Sequence, residues 1–224
     1  QLETGATDRY ATYSSGSGTN TLTFNYTVES GDTSTKLSYT STTSLELNSG
    51  TIKDAAGNSA GLVLFSPGSA DSLSGNKSLE IDTTSPNVTN VTSSLADGAY
   101  TIGEVIPIHI SFAEPVYVDN TNGDPRIQLE TGATDRYATY SSGSGSDTLT
   151  FSYTVQSGDT ATILDYTSTN SLELNSGTIK DSAGNNAVLT LSSPSSTGSL
   201  SSNKSIEIDT CLLYTSPSPR DVIQ

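Results

Sequence analysis

The sequence has no methionine and no tryptophan, one cysteine, one histidine, and only 9 Lys and Arg against 24 Asp and Glu. Each scarcity excludes something. The lone thiol, Cys211, lies outside the repeats described below, so they hold no disulfide framework and no cysteine-based zinc site. The lone imidazole, His109, is the only such base available to activate a nucleophile, and no catalytic triad can be assembled around it. The net charge of −15 argues against nucleic acid, because a phosphate-binding surface has to supply Lys and Arg. No apolar run reaches the about 20 residues that a membrane-crossing helix requires. Neither an initiator Met nor a secretory leader is visible, so the natural start is expected upstream of Gln1.

What remains is a chain dominated by Ser, Thr, Gly and Asn, interrupted by short β-branched and aromatic segments. β-Branched side chains suit a pleated sheet, and Gly and Asn suit the turns between strands, so the composition points to an all-β chain almost without helix. Its acidity favours cations as partners and keeps an extended chain soluble through self-repulsion.

The sequence repeats itself. Residues 1–83 align without a gap on residues 128–210, at an offset of about 127, with roughly 65 of 83 positions identical. QLETGATDRYATYSSGSG opens both copies, SLELNSGTIKD recurs in the middle, and both close on NKS, an apolar residue and EIDT. This divides the chain into three expected pieces. Residues 1–83 are the C-terminal part of a truncated repeat, 84–210 a complete one, and 211–224 a non-native tail. The tail CLLYTSPSPRDVIQ breaks the repeat and resembles translated sequencing-adapter DNA. A first copy without opening strands is expected to leave apolar surface and strand edges uncovered.

Alternation locates the strands. Ile106, Ile108, Ile110 and Phe112 alternate with Pro107, His109 and Ser111, the period of a strand with one buried face. Pro107 cannot donate to a ladder and predicts a bulge or an edge position. His109 is expected to face outward as an ordinary surface residue. Leu149, Phe151, Tyr153 and Val155 alternate in the same way, as do Leu22, Phe24, Tyr26 and Val28 in the first copy, and both sets are predicted core. Leu164 with Tyr166, Leu172 with Leu174, Ile179, Leu189 with Leu191, and Ile206 with Ile208 add short apolar pairs between turns. Seven or more short strands at this spacing read as a Greek-key β-sandwich. Positions that differ between copies, Asn25/Ser152, Glu29/Gln156, Ser38/Asp165 and Lys36/Ile163, are expected on the solvent side.

Taken together, SFAEPV, LETGATDRYATY, TLTFSYTV, GTIKDSAGNN and IDTTSPNV resemble the bacterial immunoglobulin-like, cadherin-like tandem repeats of giant extracellular adhesins. The resemblance spans essentially the whole repeat and rests on the motifs as a set. It implies tandem immunoglobulin-like Greek-key modules, display outside the cell or on its surface, adhesion, calcium at or near module junctions, and no enzymatic activity in the modules themselves.

In such a sandwich the N-terminal linker, the loop after the second strand and the hairpin loop before the last strand gather at one end. That end would collect Asp82, then Glu114 with Asp119, Asn120, Asn122 and Asp124, then Asp181 with Asn185. Calcium takes about six to eight hard oxygen ligands, which these loops can supply, so Asp82, Glu114, Asp119, Asp124 and Asp181 are the candidate metal ligands. The competing reading gives the same Asp and Asn residues only turn duty, satisfying nearby backbone groups. DNTNGD does not have EF-hand spacing. The expected function is that of a structural spacer and adhesion module whose partners are neighbouring repeats and cell-surface glycan or protein. Two alternatives stand beside it: a glycan- or protein-binding module, and an accessory domain of a secreted hydrolase. Tyr137 and Tyr140, with Tyr10 and Tyr13, could present rings to a sugar, although cross-strand packing is the commoner use of such residues.

Overall fold

The computed structural model describes residues 1–211 and separates into two compact units, Gln1–Thr84 and a second that begins at Ser85. Apart from Cys211, the proposed tail 211–224 lies outside the described residues.

The first unit contains β1 (Leu2–Glu3), β2 (Thr12–Ser15), β3 (Thr23–Asn25), β4 (Ser38–Tyr39) and a single helical turn, α1 (Leu73–Asn76). β1 pairs antiparallel with β4, and β2 with β3. The second unit contains β5 (Val88–Thr92), β6 (Gly98–Tyr100), β7 (Val105–Asp119), β8 (Arg126–Glu130), β9 (Arg136–Ser142), β10 (Ser146–Thr154), β11 (Thr160–Ala161), β12 (Asp165–Tyr166), β13 (Leu172–Glu173), β14 (Thr178–Lys180), α2 (Leu200–Asn203) and β15 (Ile206–Asp209). Both helical turns follow a serine N-cap: Ser72 Oγ accepts from Gly75 N, and Ser199 Oγ from Ser202 N. Among the described residues the chain is otherwise strand, turn and loop.

In the second unit the strands run in the order β12-β8-β9-β10-β7-β14, with β13 also on β8 and β5 also on β7. A separate group runs β11-β15-β6, where β15 and β6 are parallel. β7 is the hub. Its first half pairs antiparallel with β10 and β5, and its last three residues pair with β14. The predicted alternation holds along it: Ile106, Ile108, Ile110 and Phe112 are buried, as is Val116 farther on. Pro107 lies where β10 is the strand partner and β5 has not yet begun, because β5 reaches only His109–Phe112. That agrees with the edge position its missing N–H predicts. Leu149, Phe151, Tyr153 and Val155 of β10 and its end complete the centre of the core, joined by Leu164, Tyr166, Leu172, Ile179, Leu191, Ile206 and Ile208. Leu174 and Leu189 are half-buried against it.

Two sequence expectations need correction. Leu22, Phe24, Tyr26 and Val28 do not form a buried core in the first unit: Phe24 is 37% exposed and Val28 46%, against 0% for Phe151 and 2% for Val155. The side chains are identical, and the difference is β7, for which the first unit has no counterpart. Ser38 and Asp165 are not solvent-side positions, since both are buried. Asp165 is retained there because Ser195 N, Ser201 Oγ and Tyr166 N donate to it, and Ser38 Oγ accepts from Ser74 Oγ. The Lys36/Ile163 position is exposed, as expected, with Ile163 at 50%.

Candidate functional site

The acidic site grows out of the pairing of β7 with β14. Their register sets Lys180 opposite Tyr117, so the next residue of the β14 side, Asp181, continues toward Val116, two positions from Glu114. Asp181 is buried and opens a tight turn in which Gly184 takes a positive φ of 95°. Its two carboxylate oxygens accept from Asn185 N at 2.8 Å and Asn185 Nδ2 at 2.7 Å. Asp82, on the segment leading into Ser85, is half-buried and accepts from Thr84 N at 2.9 Å. Asp82, Glu114 and Asp181 each offer one carboxylate oxygen, and the three atoms lie within 4.8 Å of one another.

This acidic group can hold a metal ion. Like charges at that separation repel by about 3 kcal/mol per pair at an effective dielectric of ~20, and a cation offsets the repulsion. The donor set is all hard oxygen with no thiolate or imidazole, which suits a hard cation and not a soft one.

The other two candidates are not members of that group. Asp119 accepts from Thr121 N at 3.0 Å and Thr121 Oγ1 at 2.6 Å, and these bonds hold its carboxyl below the usual carboxylate range. Asp124 accepts from Asn120 Nδ2 at 2.7 Å, while its backbone carbonyl accepts from Asn175 Nδ2. Their oxygens serve the 119–124 turn. The first unit supplies an internal control for Asp181: Asp54, at the same place in its repeat, accepts from Asn58 Nδ2, Asn58 N and Ala56 N. The Asp–Asn turn therefore forms without the acidic group, and turn duty and the group coexist at Asp181.

His109 is half-buried, with Nδ1 3.1 Å from Thr150 Oγ1 on the adjoining strand. Tyr140 packs edge-on against Phe151 at 6.0 Å, and its hydroxyl accepts from Ser144 N; Tyr137 lies beneath the Arg126 guanidinium at 3.9 Å. Both tyrosines are thus engaged in cross-strand contacts.

A third constellation escaped the sequence reading. Asp159 is buried, and its carboxylate accepts from Tyr153 Oη at 2.6 Å, Arg136 Nε at 2.8 Å and Gln156 N at 2.9 Å. Burial works against its ionisation, yet the bonds from Tyr153, Arg136 and Gln156 outweigh burial and hold the carboxyl below its ordinary range. Burial and the hydrogen bond to Asp159 push the Tyr153 hydroxyl up. The first unit repeats the set as Tyr26, Asp32 and Arg9, where the bond from Tyr26 leads the causes that bring Asp32 down to about 2. The signal was available: an Arg, a Tyr and an Asp that stay the same in both copies while Glu29 and Gln156 beside them differ.

No family model matches the chain, and no curated protein or solved structure matches it. Among the described residues no helix is long and apolar enough to cross a membrane.

Proposed function

We propose that this chain belongs to a tandem array of immunoglobulin-like Greek-key modules, displayed outside the cell, that act without catalysis as spacer and adhesion units and bind calcium through Asp82, Glu114 and Asp181. The acidic group carries the reading, because three carboxylates drawn from separate stretches of sequence converge within 4.8 Å of one another. The antiparallel order β8-β9-β10-β7, in which the earliest of the four strands lies beside the latest, supports the Greek-key part of this reading. Calcium would be held by the three carboxylates, with carbonyls and water filling the remaining positions. Its chemical contribution is charge neutralisation, which stiffens the segment joining one module to the next and lends reach to the array.

Calcium titration of the full chain is the test. Thermal unfolding is expected to shift upward, by an amount equivalent to about 2.7 kcal/mol at a calcium concentration 100 times the dissociation constant, and to revert on chelation. Glu114→Gln should abolish the shift while the protein stays folded. An unchanged melting temperature, or an equal rise in Glu114→Gln, removes calcium from the proposal.

A further inference from the structure

The turn between β7 and β8 runs through Asp119, Asn120, Thr121, Asn122, Gly123 and Asp124, and it is the only place in the sequence where asparagine precedes glycine. Packing requires that glycine. A Cβ at residue 123 would collide with the Asn175 carbonyl oxygen, and one at Gly177 would press on the Gly123 carbonyl oxygen. The 119–124 and 174–177 turns therefore meet backbone to backbone, an approach that only residues without a side chain allow. Asn175 Nδ2 ties the two together by donating to the Asp124 carbonyl at 3.1 Å. Directly beyond the contact β14 begins, with Thr178 opposite Asp119.

The same packing leaves Asn122 unprotected. Its side chain is exposed, and among the described residues it has no hydrogen-bond partner. Gly123 N, the next main-chain nitrogen, donates to Asn120 O at 3.2 Å, the long end of the range for such a bond. With no Cβ on residue 123, nothing shields that nitrogen from the side-chain carbonyl before it. Comparable positions in this unit are held. Asn175 is bound through Nδ2 to Asp124, and Asn185 Nδ2 to Asp181 at 2.7 Å, and each is followed by a residue with a side chain. At Asp97-Gly98, Gly98 N donates to Ser205 O and Asp97 Oδ1 accepts from Ser205 N, both at 3.0 Å.

We infer that Asn122 is a site of spontaneous modification, deamidation through a cyclic imide, and that the modification loosens the start of β14 from β7. Gly123 N gives its proton to solvent base and attacks Asn122 Cγ. The N–Cγ bond forms, the Cγ–Nδ2 bond breaks, and Nδ2 takes a proton from water and leaves as ammonia. A water molecule then opens the imide at either carbonyl. Opening at Cγ gives aspartate, and opening at the main-chain carbonyl gives isoaspartate, whose backbone is one methylene longer. There is no room for that methylene where Gly123 meets Asn175 and Gly177, so the 119–124 turn lifts away and the Asn175 bond to Asp124 is lost. Either product also adds a negative charge to a turn that already holds Asp119 and Asp124.

The test ages the full chain at mildly alkaline pH and maps its peptides by mass spectrometry, with fragmentation that separates isoaspartate from aspartate. Asn122 is expected to convert at least about tenfold faster than Asn175 or Asn185, each of which must first give up a hydrogen bond. Conversion should slow at mildly acidic pH, where the Gly123 amide is harder to deprotonate. In the aged chain, amide hydrogen exchange at Thr178–Lys180 should quicken by about fivefold, the effect of one lost hydrogen bond, with residues 146–154 unchanged. Asn122→Gln, which would have to close a larger ring, should keep its exchange on ageing. Freshly purified Asn122→Asp, which adds the charge without lengthening the backbone, should exchange like the unaged parent. Four results would overturn the proposal: an intact Asn122 after ageing, faster conversion at Asn175 or Asn185, isoaspartate at residue 122 with exchange at Thr178–Lys180 unchanged, or equal loosening in fresh Asn122→Asp, which would assign the effect to charge.

Discussion

Asp159→Ala is expected to lower the stability of the second unit by about 3 kcal/mol, because it strands the Tyr153, Arg136 and Gln156 donors at once. The Tyr153 hydroxyl, nearly fully buried, would lose its acceptor, and the Arg136 guanidinium would lose its carboxylate. Tyr153→Phe removes a single hydrogen bond to a charged group and should cost about 1.5 kcal/mol. The double variant should fall well short of the sum, since both changes break the same contact. Urea unfolding, read from the exchange of the β10 amides, checks all three. A loss below about 1 kcal/mol for Asp159→Ala would mean that water reaches the site and replaces its partners.

The same carboxylate gives a pH dependence whose sign follows from linkage. Its native pKa lies below the unfolded value, so its contribution is complete above the unfolded carboxylate range near 3.8 and is lost as the pH falls through the lowered native value. In the first unit, with Asp32 at about 2, that window spans roughly pH 3.8 down to 2. Asp159→Ala should flatten the acid limb of the second unit and leave that of the first in place.

Strands could be read from the sequence where burial on one face imposes a period of two over several residues, as along Ile106–Phe112 and Leu149–Val155. Two-residue strands such as β11, β12 and β13 carry too few positions for a period: Leu164 with Tyr166 and Leu172 with Leu174 stood out only as pairs, and β11 did not stand out. The parallel pairing of β15 with β6 has no signature in either segment, since it depends on where the chain goes between them. For the acidic site, sequence supplied five carboxylates and the structure gathers three. Asp119 and Asp124 were indistinguishable from the others by residue type. What separates them is the path of the turn between them, which spends their oxygens on Thr121 and Asn120. Asp159 went unnoticed for the opposite reason: SGD reads as a turn, and burial of its carboxylate becomes visible only once Tyr153 and Arg136 are folded over it.

The comparison between Phe24 and Phe151 turns the repeat into a measurement. Phe151 is fully buried between Ile108 and Tyr140, its partners across the sheet, and Phe151→Ala should cost about 4 kcal/mol through lost transfer energy and the cavity left behind. Phe24 keeps its edge-on contact with Tyr13, at 5.9 Å, but is 37% exposed. Phe24→Ala should therefore cost about 1 kcal/mol, the worth of an aromatic pair with partial burial. Segment-resolved hydrogen exchange reports both values in one protein under one condition. Nearly equal costs would mean that Phe24 is buried in solution as deeply as Phe151. Unequal costs would mean that the same side chain contributes according to how far its neighbours bury it, since residues 24 and 151 are both phenylalanine at the same place in the repeat.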